Sequence, residues 1–232
     1  MQYLPDGILV AALFGGIIAL EKSSVGMLLS EPVIICLAAG CALGNFETGL
    51  LIGMLWQIIW MSDLPIGAVK LPDGSTGALI SAILYTKFAG MFPSLKDLIL
   101  AVSIIAGGIS AYLGGQFISD KRKVHSFYIN ITDDFADRGW MWGLDFVLFI
   151  GIIEQFLSGA FISFFLYFIF GNIAGWMLPL VPQYWNELFT FVPPMLWGIS
   201  SALLIILSIN RKTMPSAILV FIISGFIFGV FK

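Results

Sequence analysis

Apolar runs follow one another along this chain with few polar interruptions. The longest, Gly143–Phe170, carries two carboxylates, Asp145 and Glu154, in a background of Phe, Ile, Leu and small residues. In lipid such a run satisfies its backbone N–H and C=O groups only as a helix or within a closed barrel. The runs are continuous rather than alternating, which removes the two-residue period of outer-membrane strands and leaves helices. Charged residues make up 11% of the chain, against about a quarter in a soluble domain, so there is too little polar surface to cover a water-facing exterior. The expected fold is all-α: a polytopic integral membrane helical bundle in a lipid bilayer, formed as one transmembrane domain over residues 1–232.

A spanning helix needs about 20 mostly apolar residues. The candidate segments are Ile8–Leu20, Pro32–Leu43, Gly49–Met61, Thr76–Phe92, Leu98–Ile118, Gly143–Phe170, Ile173–Val181, Phe189–Ile209 and Pro215–Phe231. The first three and Ile173–Val181 are short for a full span. Short segments flanked by Gly or Pro are read either as broken or re-entrant helices, which line substrate sites in transporters, or as tilted helices with polar ends. Gly40/Gly44 and Gly49/Gly53 each form a small-xxx-small pair, whose default role is close helix packing.

The largest polar break, Ser119–Gly139, reads as a loop and extends the polar stretch to about residue 142. Its Lys121, Arg122, Lys123 and Arg138 place it in the cytoplasm by the positive-inside rule, and Arg211-Lys212 reads the same way. Net charge is −3 and no basic tract exceeds Lys121-Arg122-Lys123, so nucleic acid is not an expected partner. Cys36 and Cys41 lie in one apolar run and read as free thiols. The segment Met1–Asp6 lacks the basic start of a secretory signal, so the first run is expected to be retained. No Walker loop, zinc-protease motif or Ser-His-Asp set can be assembled, and His125, the only histidine, reads as a loop residue. No cofactor is expected, and enzymatic chemistry would be left to carboxylates.

Polar residues at membrane depth are functional candidates by default. Three concentrations stand out. In Gln57–Asp73, Gln57 both donates and accepts, Asp73 is a strong acceptor, and Pro65, Gly67 and Pro72 break regular helix. Such a segment binds a polyol through freed backbone groups, with Trp56 and Trp60 available to stack, or it is an interfacial loop with belt aromatics. Glu154-Gln155 lies deep in an apolar run and either serves a substrate or proton, or pairs with Asn172, a neighbouring helix or a partner subunit. Asp145 is explained by its place near a helix start. Asn186–Gly198, with Asn186, Glu187, Pro193-Pro194 and Trp197, reads as a dipping segment or an exterior loop.

From Glu31 to Asp73 the chain resembles the IIC subunits of the mannose/fructose/sorbose family of phosphotransferase-system sugar transporters. The resemblance is carried by Glu31-Pro32, Gly40, Leu43-Gly44-Asn45, Gly49, Gly53, Gln57, Gly67-Ala68 and Pro72-Asp73. Asp133-Asp134-Phe135-Ala136-Asp137-Arg138-Gly139 is similar to an acidic helix in the family's large cytoplasmic loop, and Gln155 gives a further match. Departures are Glu31 where Arg is common before the proline, Asn45 where Asp is common, Pro65, and Pro193-Pro194 in place of a glycine-rich stretch.

The resemblance implies a multi-pass permease subunit in the bacterial cytoplasmic (inner) membrane. It implies a hexose-type sugar as substrate, a IID-like membrane partner, soluble IIA/IIB phosphocarriers and an oligomeric complex. It implies no phosphohistidine in this chain, and hence a transport role rather than an enzymatic one. The expected substrate contacts are Gln57, Gly67, Ala68, Asp73, Glu154 and Gln155. Relatives carry Glu or Gln at the position of Gln57, so Gln57→Glu is expected to be mild, whereas Gln57→Ala and Asp73→Asn are expected to weaken sugar binding. Lys70 is the expected alternative partner for Asp73. The other readings are a different small-solute permease component and a membrane-embedded enzyme acting through Glu154 or Asp73.

Overall fold

The computed structural model describes residues 5–25, 28–60 and 72–208. Among these residues there are seven α-helices and no strand. They are α1 (Pro5–Leu20), α2 (Pro32–Ala42), α3 (Phe46–Trp60), α4 (Gly74–Met91), α5 (Lys96–Asp137), α6 (Met141–Met177) and α7 (Val192–Ser208). A π-helical turn, Glu21–Val25, extends α1, and 3-10 turns at Leu178–Leu180 and Gln183–Phe189 separate α6 from α7. Arg211-Lys212, Pro215–Phe231 and the connection holding Pro65, Gly67, Ala68 and Lys70 lie outside the described residues.

The hub is α4, nearly every residue of which is buried from Gly74 to Leu84. It packs against α1, α2, α3, α5 and α6. On α6 the buried residues Gly159, Ser163, Leu166, Tyr167, Gly171 and Ala174 recur at helical spacing. Both faces of α6 are greasy, so side-chain size distinguishes the packing stripe. Its mate on α1 is equally small. A Cβ placed on Gly15 would sit 2.3 Å from the Ser163 Cβ and 2.7 Å from the Gly159 carbonyl. Elsewhere along α6, Phe146, Phe149, Leu157 and Phe161 are exposed. A continuous apolar surface of this kind on a folded chain is a lipid or protein contact.

Helices α2 and α3 form a hairpin too short to cross a bilayer. Their 11 and 15 residues give about 16 and 22 Å at 1.5 Å per residue, against a hydrocarbon core of about 30 Å. Pro32 opens α2 at a position where a missing N–H costs nothing. Gly44 closes the turn at φ +79°, a conformation that a side chain disfavours. The spaced glycines then let the two backbones touch. A Cβ on Gly49 would meet the Cys36 carbonyl at 2.4 Å, and one on Gly40 would meet the Gly49 Cα at 2.8 Å. Cys36 is buried, Cys41 is exposed, and both are free.

Two expected boundaries are corrected. The polar stretch Ser119–Gly139 is not a loop: α5 runs unbroken through it to Asp137, and His125 lies on that helix. The stretch contains no proline, and its only glycine is Gly139 at the end, so its polarity marks an exit from apolar surroundings rather than a break in the chain. Gly139 then turns the chain at φ +65°, with the Phe135 and Trp140 rings edge to face, 4.9 Å apart. Nor is Ile173–Val181 a separate segment. It is the last turn of α6 followed by the Leu178–Leu180 turn, because Pro179 falls at the start of that 3-10 turn and Pro182 follows it.

Candidate functional site at the helix breaks

Among the described residues, two helix ends carry the buried carboxylates of the first half, Glu21 and Asp73. One follows α1, where the π-helical turn places Glu21 and Lys22. The other is the start of α4, where Asp73 is the N-cap. They meet through an ion pair between the Lys22 ammonium and Asp73 Oδ1. Asp73 Oδ2 accepts from the Thr76 hydroxyl at 2.6 Å, Oδ1 also accepts from the Thr76 N–H at 3.4 Å, and the Asp73 N–H donates to the Ala111 carbonyl at 2.7 Å. Asp73 is thus fastened to α1, α4 and α5 at once, and it is buried. Its partner is Lys22, an isolated residue with no motif around it. Glu21, also buried, accepts from the Ser30 N–H at 2.9 Å and orders the approach to α2.

Gln57, near the end of α3, reaches the start of α2. Its Oε1 accepts from the Val33 N–H at 3.3 Å, and its Nε2 donates to Glu31 Oε2 at 2.7 Å. Val33 lies in the first turn of α2, where backbone N–H groups have no partner inside the helix. The departure at Glu31 and the residue at Gln57 are therefore one contact. This bears on the expectation that Gln57→Glu is mild, since the change would set two carboxylates where a 2.7 Å hydrogen bond now lies.

Trp60, one turn beyond Gln57, covers the start of α4: a Cβ on Gly74 would overlap its indole at 2.3 Å. Trp56 has a different role from stacking on a ligand. It is 2% exposed, and its ring is wedged between Gly77 of α4 and Gly107 of α5. Gly67 and Ala68 lie in the connection outside the described residues.

Glu154 and Gln155 are brought together with Lys121 of α5, not with Gln57 or Asp73. Lys121 Nζ lies 2.9 Å from Glu154 Oε1 and donates to Gln155 Oε1 at 3.3 Å. The pairing with Asn172 is not formed: that amide donates to the Phe168 carbonyl of its own helix at 2.6 Å. On α5, Gly114 packs on Asp73, and Lys121 lies seven residues further on, about 10 Å along the axis. The cluster edges a groove of about 540 Å³ lined by Phe117, Ile150, Ile153, Leu157 and Phe161 beside Glu154 and Ser158. Asn186 caps α5, its Oδ1 accepting from the Asp97 and Leu98 N–H groups at 2.9 and 3.2 Å. Of the third polar concentration, Asn186 thus has a structural role, while Pro193, Pro194 and Trp197 lie in α7. Among the described residues no group of His, Cys, Asp and Glu side chains is arranged to hold a metal ion.

An apolar outer face, a hairpin too short to span, and charged groups buried where helices break define a polytopic α-helical membrane protein. Two solved structures share the fold. One, described as a membrane protein, aligns over 97% of this chain and 87% of its own at a TM-score of 0.65 and 20% identity. The other is a complex of the mannose transporter ManYZ with microcin E492, aligned over 97% of this chain and 86% of its own at 0.57 and 21%. The family model described as the PTS system sorbose-specific IIC component matches residues 7–230, and the chain belongs to that family. It is 23% identical to the fructose permease IIC component of Bacillus subtilis over 65% of this chain, a match spanning 51% of that relative. It is 32% identical to the mannose-specific EIIC component of Escherichia coli over 37% of this chain and 34% of that relative. With the sorbose-specific EIIC component of Klebsiella pneumoniae it shares 33% over 27% of this chain and 25% of that relative. The matched stretches thus span about half or less of the length of these relatives.

Proposed function

We propose that this chain is the IIC-type sugar-permease subunit of a phosphoenolpyruvate-dependent phosphotransferase system in a bacterial inner membrane. It binds a hexose-type sugar and passes it through the bilayer, and partner subunits phosphorylate it. The carrying observation is the family match over residues 7–230 on a chain whose buried carboxylates Glu21 and Asp73 lie at helix ends. Broken helices are where transporters expose backbone and side-chain groups to a polar substrate without opening the rest of the bundle.

In this reading the sugar lies where the start of α2, the end of α3 and the start of α4 meet. Glu31 and Gln57 form one wall, Trp60 offers an aromatic face, and Gly67 and Ala68 are the further proposed contacts. Lys22 and Asp73 tie the two breaks together from behind. Glu154 and Gln155 form a second polar locus that couples α5 to α6. The IID-like subunit of a ManYZ-type pair is the proposed membrane partner, and IIA/IIB proteins supply the phosphoryl group. The polar stretch over residues 119–142 faces the cytoplasm and receives them. In that stretch Lys121 turns inward to Glu154, with its side chain 14% exposed, so docking falls to its neighbours. A membrane enzyme working through Asp73 or Glu154 fits less well, because Asp73 is held by Lys22 and Thr76 and Glu154 by Lys121.

The test is uptake into vesicles holding the chain and its membrane partner, with soluble phosphocarriers inside. Sugar-phosphate should accumulate only with phosphoenolpyruvate present, and this chain alone should give little. Equal accumulation without phosphoenolpyruvate would reject the phosphotransferase link, and full coupled uptake by this chain alone would reject the shared path.

A further inference from the structure

We infer that Glu31 is the side chain that receives the sugar's hydroxyls at this site, and that Gln57 is its positioning partner. The inference rests on the sugar-site reading above. Both ends of the Gln57 amide are committed, the oxygen to the Val33 N–H and the nitrogen to Glu31 Oε2. Turning the amide over would set its oxygen against a carboxylate and its NH2 against a backbone N–H. The orientation is therefore fixed by its two partners rather than left open.

Glu31 is placed differently. It is the extended residue just before α2, at φ −60° and ψ 135°, so its side chain is not confined to a helix face. Only Oε2 is used by Gln57, and among the described residues no hydrogen bond to Oε1 is formed. Glu31 is half-buried, which leaves the second oxygen reachable. An ionised carboxylate accepts only, at about four lone-pair positions, and so suits two neighbouring hydroxyl donors. Pro32 contributes no N–H that would otherwise compete for the carboxylate. Gln57 thus holds one oxygen still while the other faces the ligand.

Exchanging the two residues separates contact from clamp. Binding of radiolabelled mannose, fructose and sorbose is measured on the purified complex of this chain with its membrane partner, alongside the thermal midpoint. Glu31→Gln keeps an amide-to-amide clamp and should weaken binding of the preferred sugar about tenfold or more, because a charged acceptor becomes a neutral one. Gln57→Glu should assemble poorly beside Glu31. Adding Glu31→Gln to it restores an acid–amide clamp in reverse, and should recover the thermal midpoint but not the affinity. If the reversed pair binds as wild type does, or Glu31→Gln alone does, Glu31 is only a structural clamp and the inference is overturned. If wild type binds none of the three sugars, the sugar-site reading itself fails, and the inference with it.

Discussion

The ion pair between Lys22 and Asp73 allows a prediction whose ranking is set by burial. The Asp73 side chain is 4% exposed and the Lys22 side chain 35% exposed. Lys22→Met strands a buried carboxylate with Thr76 as its remaining side-chain donor, and breaking a buried pair in this way costs about 3–5 kcal/mol. Asp73→Asn keeps an acceptor for the Thr76 N–H, since Asn is also a good N-cap, and leaves an ammonium able to turn into water. Discounted for that rehydration, the lost charge-assisted hydrogen bond costs about 1–2 kcal/mol. At about 2–4 °C per kcal/mol for a chain of this size, Lys22→Met should lower the thermal midpoint by roughly 6–20 °C and Asp73→Asn by roughly 2–8 °C. The double variant should be better than Lys22→Met alone, because the stranded charge is gone. Tryptophan fluorescence on the detergent-solubilised protein reads all three. An Asp73→Asn deficit as large as that of Lys22→Met, or a double variant no better than Lys22→Met, would refute the reasoning.

Gly49→Ala should destabilise the α2–α3 hairpin by about 1–3 kcal/mol, since its Cβ would lie 2.4 Å from the Cys36 carbonyl. Gly108→Ala, with no atom within 4 Å of its Cβ, should be neutral or gain up to about 1 kcal/mol; a similar loss from both in thermal unfolding would discount the packing argument. Asn186→Ala removes the acceptor for the Asp97 and Leu98 N–H groups and should cost about 0.5–2 kcal/mol, measurable in the same unfolding assay, without altering sugar affinity. A cysteine at Ser126, in a background with Cys36 and Cys41 replaced, should react with an impermeant maleimide only in inside-out vesicles; labelling in intact cells would reverse the proposed orientation.

That the chain is helical and lives in a membrane was legible in its residues alone, because composition and run length report directly on the surrounding solvent. The sequence also marked Pro32–Leu43 and Gly49–Met61 as short segments with glycines spaced for close packing, but not that they fold back on each other around Gly44. It placed Gln57 and Asp73 among the candidates but left their partners open. Lys22 and Asp73 are 51 residues apart, and Glu31 and Gln57 are 26 apart. Nothing local distinguishes Lys22 from Lys70, Lys87 or Lys96. The sequence also misjudged the second half of α5, because polarity ends a lipid-facing surface without ending a helix. Which ammonium reaches Asp73, the turn of Gln57 toward Glu31 and the inward reach of Lys121 to Glu154 emerge from the packed bundle. Those pairings follow from how α1 to α6 lean on one another, and that packing is governed by which residues are small enough to touch rather than by any pattern of hydrophobicity.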